Sequence, residues 1–188
     1  MPTILVCYGT TEGQTEKIAE RIGDRLTERG HRAPVRNVAA TAVDPTGYDA
    51  VLIGSSIHVG SHHAGVKRFV SEHRDTLGSL PTGFFQVSLP SATDDPDRRA
   101  EAAGYVEAFE EATDFHPDRV GLFGGALRYS KYGFLKRLLM KQIAKRSTGD
   151  TDTSRDHEYT DWSEVEAFTD DFAAFVEGRL AEVPSEAM

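Results

Sequence analysis

The chain has 188 residues and is 39% hydrophobic, enough for the core of one ordinary domain. Its formal net charge of −9 argues against nucleic-acid binding. No apolar run approaches the roughly 18 residues of a membrane span, and no signal-peptide pattern opens the chain. The apolar run at 4–8 predicts a buried parallel strand stopping at Gly9. Its one cysteine, Cys7, excludes an internal disulfide, fits a reducing cytosol and is expected to pack in the core. A helix follows with Ile18, Ile22 and Leu26 on one stripe and Gly30 as its stop. Residues 33–38 read as a short second strand and 50–55 as a buried third. A helix over 63–73 carries Val66, Phe69 and Val70 on one face. A fourth strand at 83–88 leads to a helix over 97–113, with Ala102, Tyr105, Val106 and Phe109 inward. A fifth strand takes 120–126. Asp161 reads as the N-cap of a last helix, with Glu164 three residues on and Val165, Phe168, Phe172 and Phe175 as its apolar stripe. Strands alternating with helices predict an α/β fold, a parallel sheet covered on both faces. One domain is expected over 1–180, with 181–188 as a frayed tail.

The turn between the first strand and first helix holds Thr10, Thr11, Glu12, Gly13, Gln14 and Thr15. Free N–H groups of such a turn and of the first helical turn converge on one point, where the helix dipole favours an anion. The threonine hydroxyls add donors. Gly13-Gln14-Thr15 lacks the lysine of a nucleotide-triphosphatase loop, and no Gly-x-Gly-x-x-Gly for a pyrophosphate is present. Hydroxyls and amides without a cation suit one terminal phosphate. This string after a first strand resembles the flavin mononucleotide (FMN) phosphate loop of flavodoxins. Glu12 departs from that pattern, and its side chain is expected to turn outward while its N–H donates.

Ligands of such folds sit beyond the carboxyl ends of the strands. Two further loops are expected there: Ser55, Ser56, Ile57, His58, Val59 and Gly60 after the third strand, and Ser88, Leu89, Pro90 and Ser91 after the fourth. They match the positions that hold the flavin ring in flavodoxins. His58, His62 and His63 lie close in sequence, but no cysteine or carboxylate spacing accompanies them, so no metal site is expected.

Residues 126–148 carry Arg128, Lys131, Lys136, Arg137, Lys141, Lys145 and Arg146 and no acid, so the rest of the chain carries −16. Tyr132, Leu135, Leu138, Leu139 and Ile143 share one helical face, Arg137, Lys141 and Lys145 another, and Phe134 and Met140 interrupt the polar side. A basic helix with surplus apolar residues suits anionic lipid or an acidic substrate; a helix packed on the fold with solvated charges is the alternative. Only 6 of the 21 basic residues are lysine, against 30 acids, which fits a salt-rich cytoplasm.

Over nearly its full length the chain resembles the flavodoxin-like menaquinone-dependent protoporphyrinogen IX dehydrogenases. The matching strings are EGQTEKIA at 12–19, IGSSIHVGSHH at 53–63, GGALRYSKY at 124–132, GDTDT at 149–153 and YTDW at 159–162. The resemblance implies a flavodoxin-like, doubly wound, five-stranded parallel sheet in the order 2-1-3-4-5, with a basic helical insert (126–160) after the fifth strand. It implies FMN as cofactor, a porphyrinogen as substrate, a quinone as acceptor, and a cytoplasmic protein at the inner face of the membrane. Oxidation of protoporphyrinogen IX removes six electrons and six protons, so a two-electron flavin cycles three times.

His58, Arg128 and Tyr129 are the candidate catalytic residues. Arg128 and the cations after it suit the substrate's propionates, while His58 and Tyr129 suit lining the ring or moving protons. A soluble electron carrier and an NAD(P)H:quinone reductase remain as alternative readings, and a homo-oligomer is left open. A phosphorelay receiver is set aside, because its acidic pair and its lysine are missing.

Overall fold

The computed structural model describes residues 1–127, 134–148, 152 and 154–182, with backbone alone for 134–139 and 147. Five parallel strands form its centre: β1 (Ile4–Gly9), β2 (Val35–Asn37), β3 (Ala50–His58), β5 (Thr82–Ser88) and β6 (Arg119–Gly124). Their order is β2-β1-β3-β5-β6, the doubly wound order expected. A sixth strand, β4 (Ser61–His62), pairs antiparallel with the end of β3.

Alternate residues of each strand face opposite sides. Ile4, Val6 and Tyr8 of β1, with Leu52 and Phe85, pack against α1 (Gln14–Glu28) and α6 (Trp162–Glu182) through Ile18, Ile22, Val165, Phe172 and Val176. Leu5, Cys7, Val51, Ile53 and Phe84 face α2 (Ala64–Glu72), α3 (Arg74–Gly78) and α4 (Pro96–Thr113) through Val66, Phe69, Leu77, Val106 and Phe109. Both sheet faces are therefore dry, as continuous apolar runs require. Tyr105 is only half-buried, and its hydroxyl donates to Glu101 at 2.8 Å.

Between α1 and α6 the rim is charged. Arg21 meets Glu166 at 2.5 Å, Arg25 meets Asp170 at 2.7 Å, and the buried His31 meets Glu177 at 2.9 Å. Partly exposed pairs are worth about 0–1 kcal/mol each, so the apolar seam carries most of the docking. Asp161 Oδ1 accepts from Ser163 N at 2.9 Å and Glu164 N at 3.3 Å, which confirms the expected N-cap.

Three expectations are corrected. The second strand is shorter than 33–38, because Pro34 has no N–H to donate to the ladder. The third strand does not end at Ser55. It runs to His58 and returns through Ser61 and His62, so the expected loop 55–60 is largely a β-hairpin turning at Val59 (φ 50°) and Gly60 (φ 73°). The fifth strand leaves the sheet at Gly124. Gly125 N donates to Ser88 O at 3.0 Å, and Ala126–Leu127 (β7) pairs antiparallel with His157–Glu158 (β8).

The insert helix, α5, spans Phe134–Ser147. Among its described side chains Ala144 is buried with Leu127, and Met140, Leu89 and Tyr159 pack against that pair. Ile143, expected on the apolar stripe, is 39% exposed. Residues 181–182 of the expected tail continue α6, while 183–188 and Tyr132 lie outside the described residues, and so do the side chains of Leu135, Leu138 and Leu139.

Candidate functional site

At the carboxyl end of the sheet, the turn after β1 leads into α1 through Gly13. Its φ of 95° is left-handed, where a side chain is strained although nothing stands within 4 Å of an added Cβ. Gly13 N donates to Thr10 Oγ1 at 2.9 Å, leaving the Thr10 hydroxyl hydrogen to donate elsewhere. Thr11 Oγ1 and Ser56 Oγ lie 3.5 Å apart, bringing the first loop against β3. The first intrahelical bond is Lys17 N to Gly13 O at 3.3 Å, so the N–H groups of the first turn of α1 have no intrahelical acceptor.

Thr15 is 1% exposed, and among the described residues its Oγ1 has no hydrogen-bond partner. A buried hydroxyl without a partner costs about 1–3 kcal/mol. Here it stands at a helix N-terminus that favours negative charge, beside the Thr10 hydroxyl. This donor set fits a phosphate monoester.

A cleft of about 80 Å³ opens at this turn. Thr10, Thr11, Glu12, Gln14 and Thr15 line one side of it; Ser56, Ile57 and His58 line another; of the third expected loop, Ser88 and Leu89 line it as well. Glu12, expected to turn outward, is half-buried and lines the cleft. Val87, Gly125, Ala126 and Met140 also line it and had not been expected there. Met140 brings the insert helix to the cleft. The space is smaller than the roughly 300 Å³ lower bound of ordinary ligand pockets, so a ring held here projects toward solvent or displaces Met140.

The remaining expected residues lie around the cleft. Ser55 is buried, donates to Ser56 O at 3.2 Å and accepts from His63 N at 3.0 Å. Val59 and Gly60 form the hairpin tip, with Val59 91% exposed. Pro90 is buried in a short 3-10 turn (Pro90–Ala92), and Ser91 faces a neighbouring depression while bonding Ser88 Oγ at 2.7 Å. Arg128 and Tyr129 lie outside the described residues. A more open depression of about 310 Å³ sits between residues 38–43 and α2, away from these loops.

The three histidines separate. His58 is exposed at the cleft. His63 caps α2, its Nδ1 accepting from Gly65 N at 3.1 Å. His62 is buried between Phe84 and Phe109, with ring centroids 5.3 and 4.8 Å away. Burial pushes its pKa down to about 4, with Gln86 opposing and Lys67 assisting.

On the far side, Gln14 is buried, and its Nε2 donates to Thr160 Oγ1 at 2.9 Å. Lys17 meets Glu158 at 3.3 Å. Burial works to raise the Glu158 carboxyl, but hydrogen bonds from Lys17, Trp162 and Gln14 outweigh it and hold the pKa below the usual carboxylate value. Tyr8 donates to Glu16, and burial followed by that carboxylate pushes the phenol up to about 12.

A flavodoxin domain model matches residues 5–154. The chain is 36% identical over 172 residues to the protoporphyrinogen IX dehydrogenase (quinone) of Escherichia coli strain K12, covering 90% of this chain and 93% of that protein. It is 34% identical over 175 residues to the protoporphyrinogen IX dehydrogenase (quinone) of Leishmania major, covering 92% of this chain and 75% of that one. Among solved structures it is similar to a Fusobacterium nucleatum flavodoxin bound to flavin mononucleotide, with a TM-score of 0.51, 13% identity, and 95% and 99% of the two chains covered. At that identity the likeness speaks for the fold.

Proposed function

The chain belongs to the flavodoxin-domain family of the protoporphyrinogen IX dehydrogenases, and on that premise we propose that it holds FMN in this cleft, oxidises protoporphyrinogen IX and reduces a quinone. The observation that carries this reading is the buried Thr15 hydroxyl at the N-terminus of α1, which has no hydrogen-bond partner among the described residues. Thr10, Thr15 and the first-turn N–H groups of α1 would hold the phosphate. Ser56, Ile57, His58, Ser88 and Leu89 would border the ring. FMN supplies two-electron redox chemistry, and the six-electron oxidation takes three turns of it.

The protein's part is binding, orientation and proton handling. His58 is exposed at the cleft and is suited to take a proton released by the substrate. Leu89 and Met140 bring apolar surface to the cleft and would limit water there. Arg128 and Tyr129 are assigned to the porphyrinogen by sequence position, Arg128 toward its propionates.

We further propose that α5 brings this edge to a membrane-borne quinone. Lys141, Lys145 and Arg146 are exposed around the exposed Ile143, a combination suited to anionic lipid. No helix among the described residues is long and apolar enough to cross a membrane. Acid release of the cofactor followed by chromatography tests the first part of the proposal. FMN at one per chain is expected; FAD, or no flavin after reconstitution with excess FMN, would overturn it.

A further inference from the structure

The segment that returns from the insert runs alongside the strand end that walls the cleft. Glu158 pairs with Ala126. Tyr159 N donates to Gly125 O at 3.0 Å, and Thr160 Oγ1 donates to Gly124 O at 2.7 Å. Three successive residues thus follow 124–126 in reverse. The approach is so close that a Cβ on Gly124 would stand 2.2 Å from Tyr159 O.

The same segment grips the cradle helix. Gln14, the first residue of α1, donates to Thr160 Oγ1 at 2.9 Å and hydrogen-bonds the Glu158 carboxylate. Lys17, in the same turn, pairs with Glu158 at 3.3 Å. A threonine hydroxyl has one hydrogen to give and lone pairs to receive. Thr160 spends the hydrogen on the end of β6 and receives Gln14 from α1. It therefore joins two walls of the cleft from a third segment, without lining the cleft itself.

We propose that Thr160 is a positioning residue, holding α1 and the end of β6 in the geometry that receives the FMN phosphate. The proposal rests on the FMN reading above. Thr160 acts through Gln14 and Gly124. A loosened junction would let the first turn of α1 shift relative to Ser88, Gly125 and Ala126, and small displacements of fixed N–H donors weaken anion binding.

The test compares Thr160→Val, which keeps the shape and removes both hydrogen bonds, with Thr160→Ser, which keeps the hydroxyl. Three quantities are read: FMN affinity of the apoprotein by flavin fluorescence titration, amide hydrogen exchange along the whole chain without flavin, and Tm. The Val variant should bind FMN about tenfold more weakly. Its exchange should rise in residues 10–17 and around 124–126, with other segments unchanged. The Ser variant should stay within about twofold of the parent affinity. Parent-like affinity and exchange in the Val variant would overturn the proposal. So would exchange rising throughout the protein with a matching fall in Tm, or a Ser variant no better than Val. If the parent protein takes no FMN, the cofactor reading fails, and apoprotein exchange still decides whether Thr160 holds the cradle.

Discussion

Gln14 and Thr160 stand 146 residues apart in the chain and 2.9 Å apart in space. One opens the cradle helix, and the other lies just after the return from the insert. The first turn of α1 and the segment that returns from the basic insert therefore meet through this hydrogen bond and through the contacts of Gln14 and Lys17 with Glu158. The cradle's shape depends on chain far from its own loop.

Thr15→Val should separate stability from function. The hydroxyl is buried and has no partner among the described residues, so replacing it with a methyl removes an unmet polar group. The apoprotein should melt at the parent temperature or higher, while FMN binds about tenfold more weakly. Thermal unfolding and flavin titration check this. A variant with weaker apoprotein stability and full affinity would contradict it.

Gly13→Val should abolish FMN binding, whereas Cys7→Ala should not. Crowding is not the reason, since space around Gly13 is open; the φ of 95° is. A β-branched residue there costs roughly 1–3 kcal/mol and would reshape the turn. Cys7 is fully buried in β1, and its thiol pKa is raised by burial, so it packs without reacting. Its loss should lower stability by about 1 kcal/mol and leave the flavin in place. Equal loss of flavin in both variants would remove the distinction.

His62 should give the apoprotein an acid-sensitive step. Its folded pKa, about 4, lies below the ordinary histidine value of 6.5, so the unfolded chain binds more protons between those values. The contribution is fully present above about pH 6.5 and is lost as the pH falls toward about 4. Urea unfolding at a series of pH values should show this decline, and His62→Phe should flatten it. An unchanged acid slope in the variant would show that other groups set it.

Replacing Lys136, Arg137, Lys141 and Lys145 by Gln should reduce binding to anionic vesicles at low salt. Each cation near such a surface is worth roughly 1 kcal/mol, and salt screens it. FMN should stay bound, because the phosphate cradle is a separate element. Unchanged vesicle binding and turnover would mark α5 as a packed helix with solvated charges.

The cradle was legible because each of its parts is local. A buried run, a glycine at a left-handed position and a 3.6-residue stripe stand within residues 4–28. The strand–helix alternation implied a parallel sheet, and the family resemblance implied its order. The hairpin at 57–62 was hidden because Val59 occupies a left-handed position that turn rules reserve for glycine or asparagine, and because serines usually read as loop. Of the apolar stripe expected on α5, Ile143 alone has a described side chain, and it is exposed, because that helix is apolar on more than one side. Its periodicity allowed an Ile143 stripe, and tertiary packing chose Met140 and Ala144. Gln14–Thr160 left no local trace, since a single long-range hydrogen bond has no period.

The most direct test of the central claim is an anaerobic assay of FMN-loaded protein with protoporphyrinogen IX and a menaquinone analogue. Porphyrin absorbance should rise in proportion to protein, with about three quinones reduced per porphyrin formed. Flavin-loaded protein that forms no porphyrin above the protein-free control, with the quinone left oxidised, would contradict it.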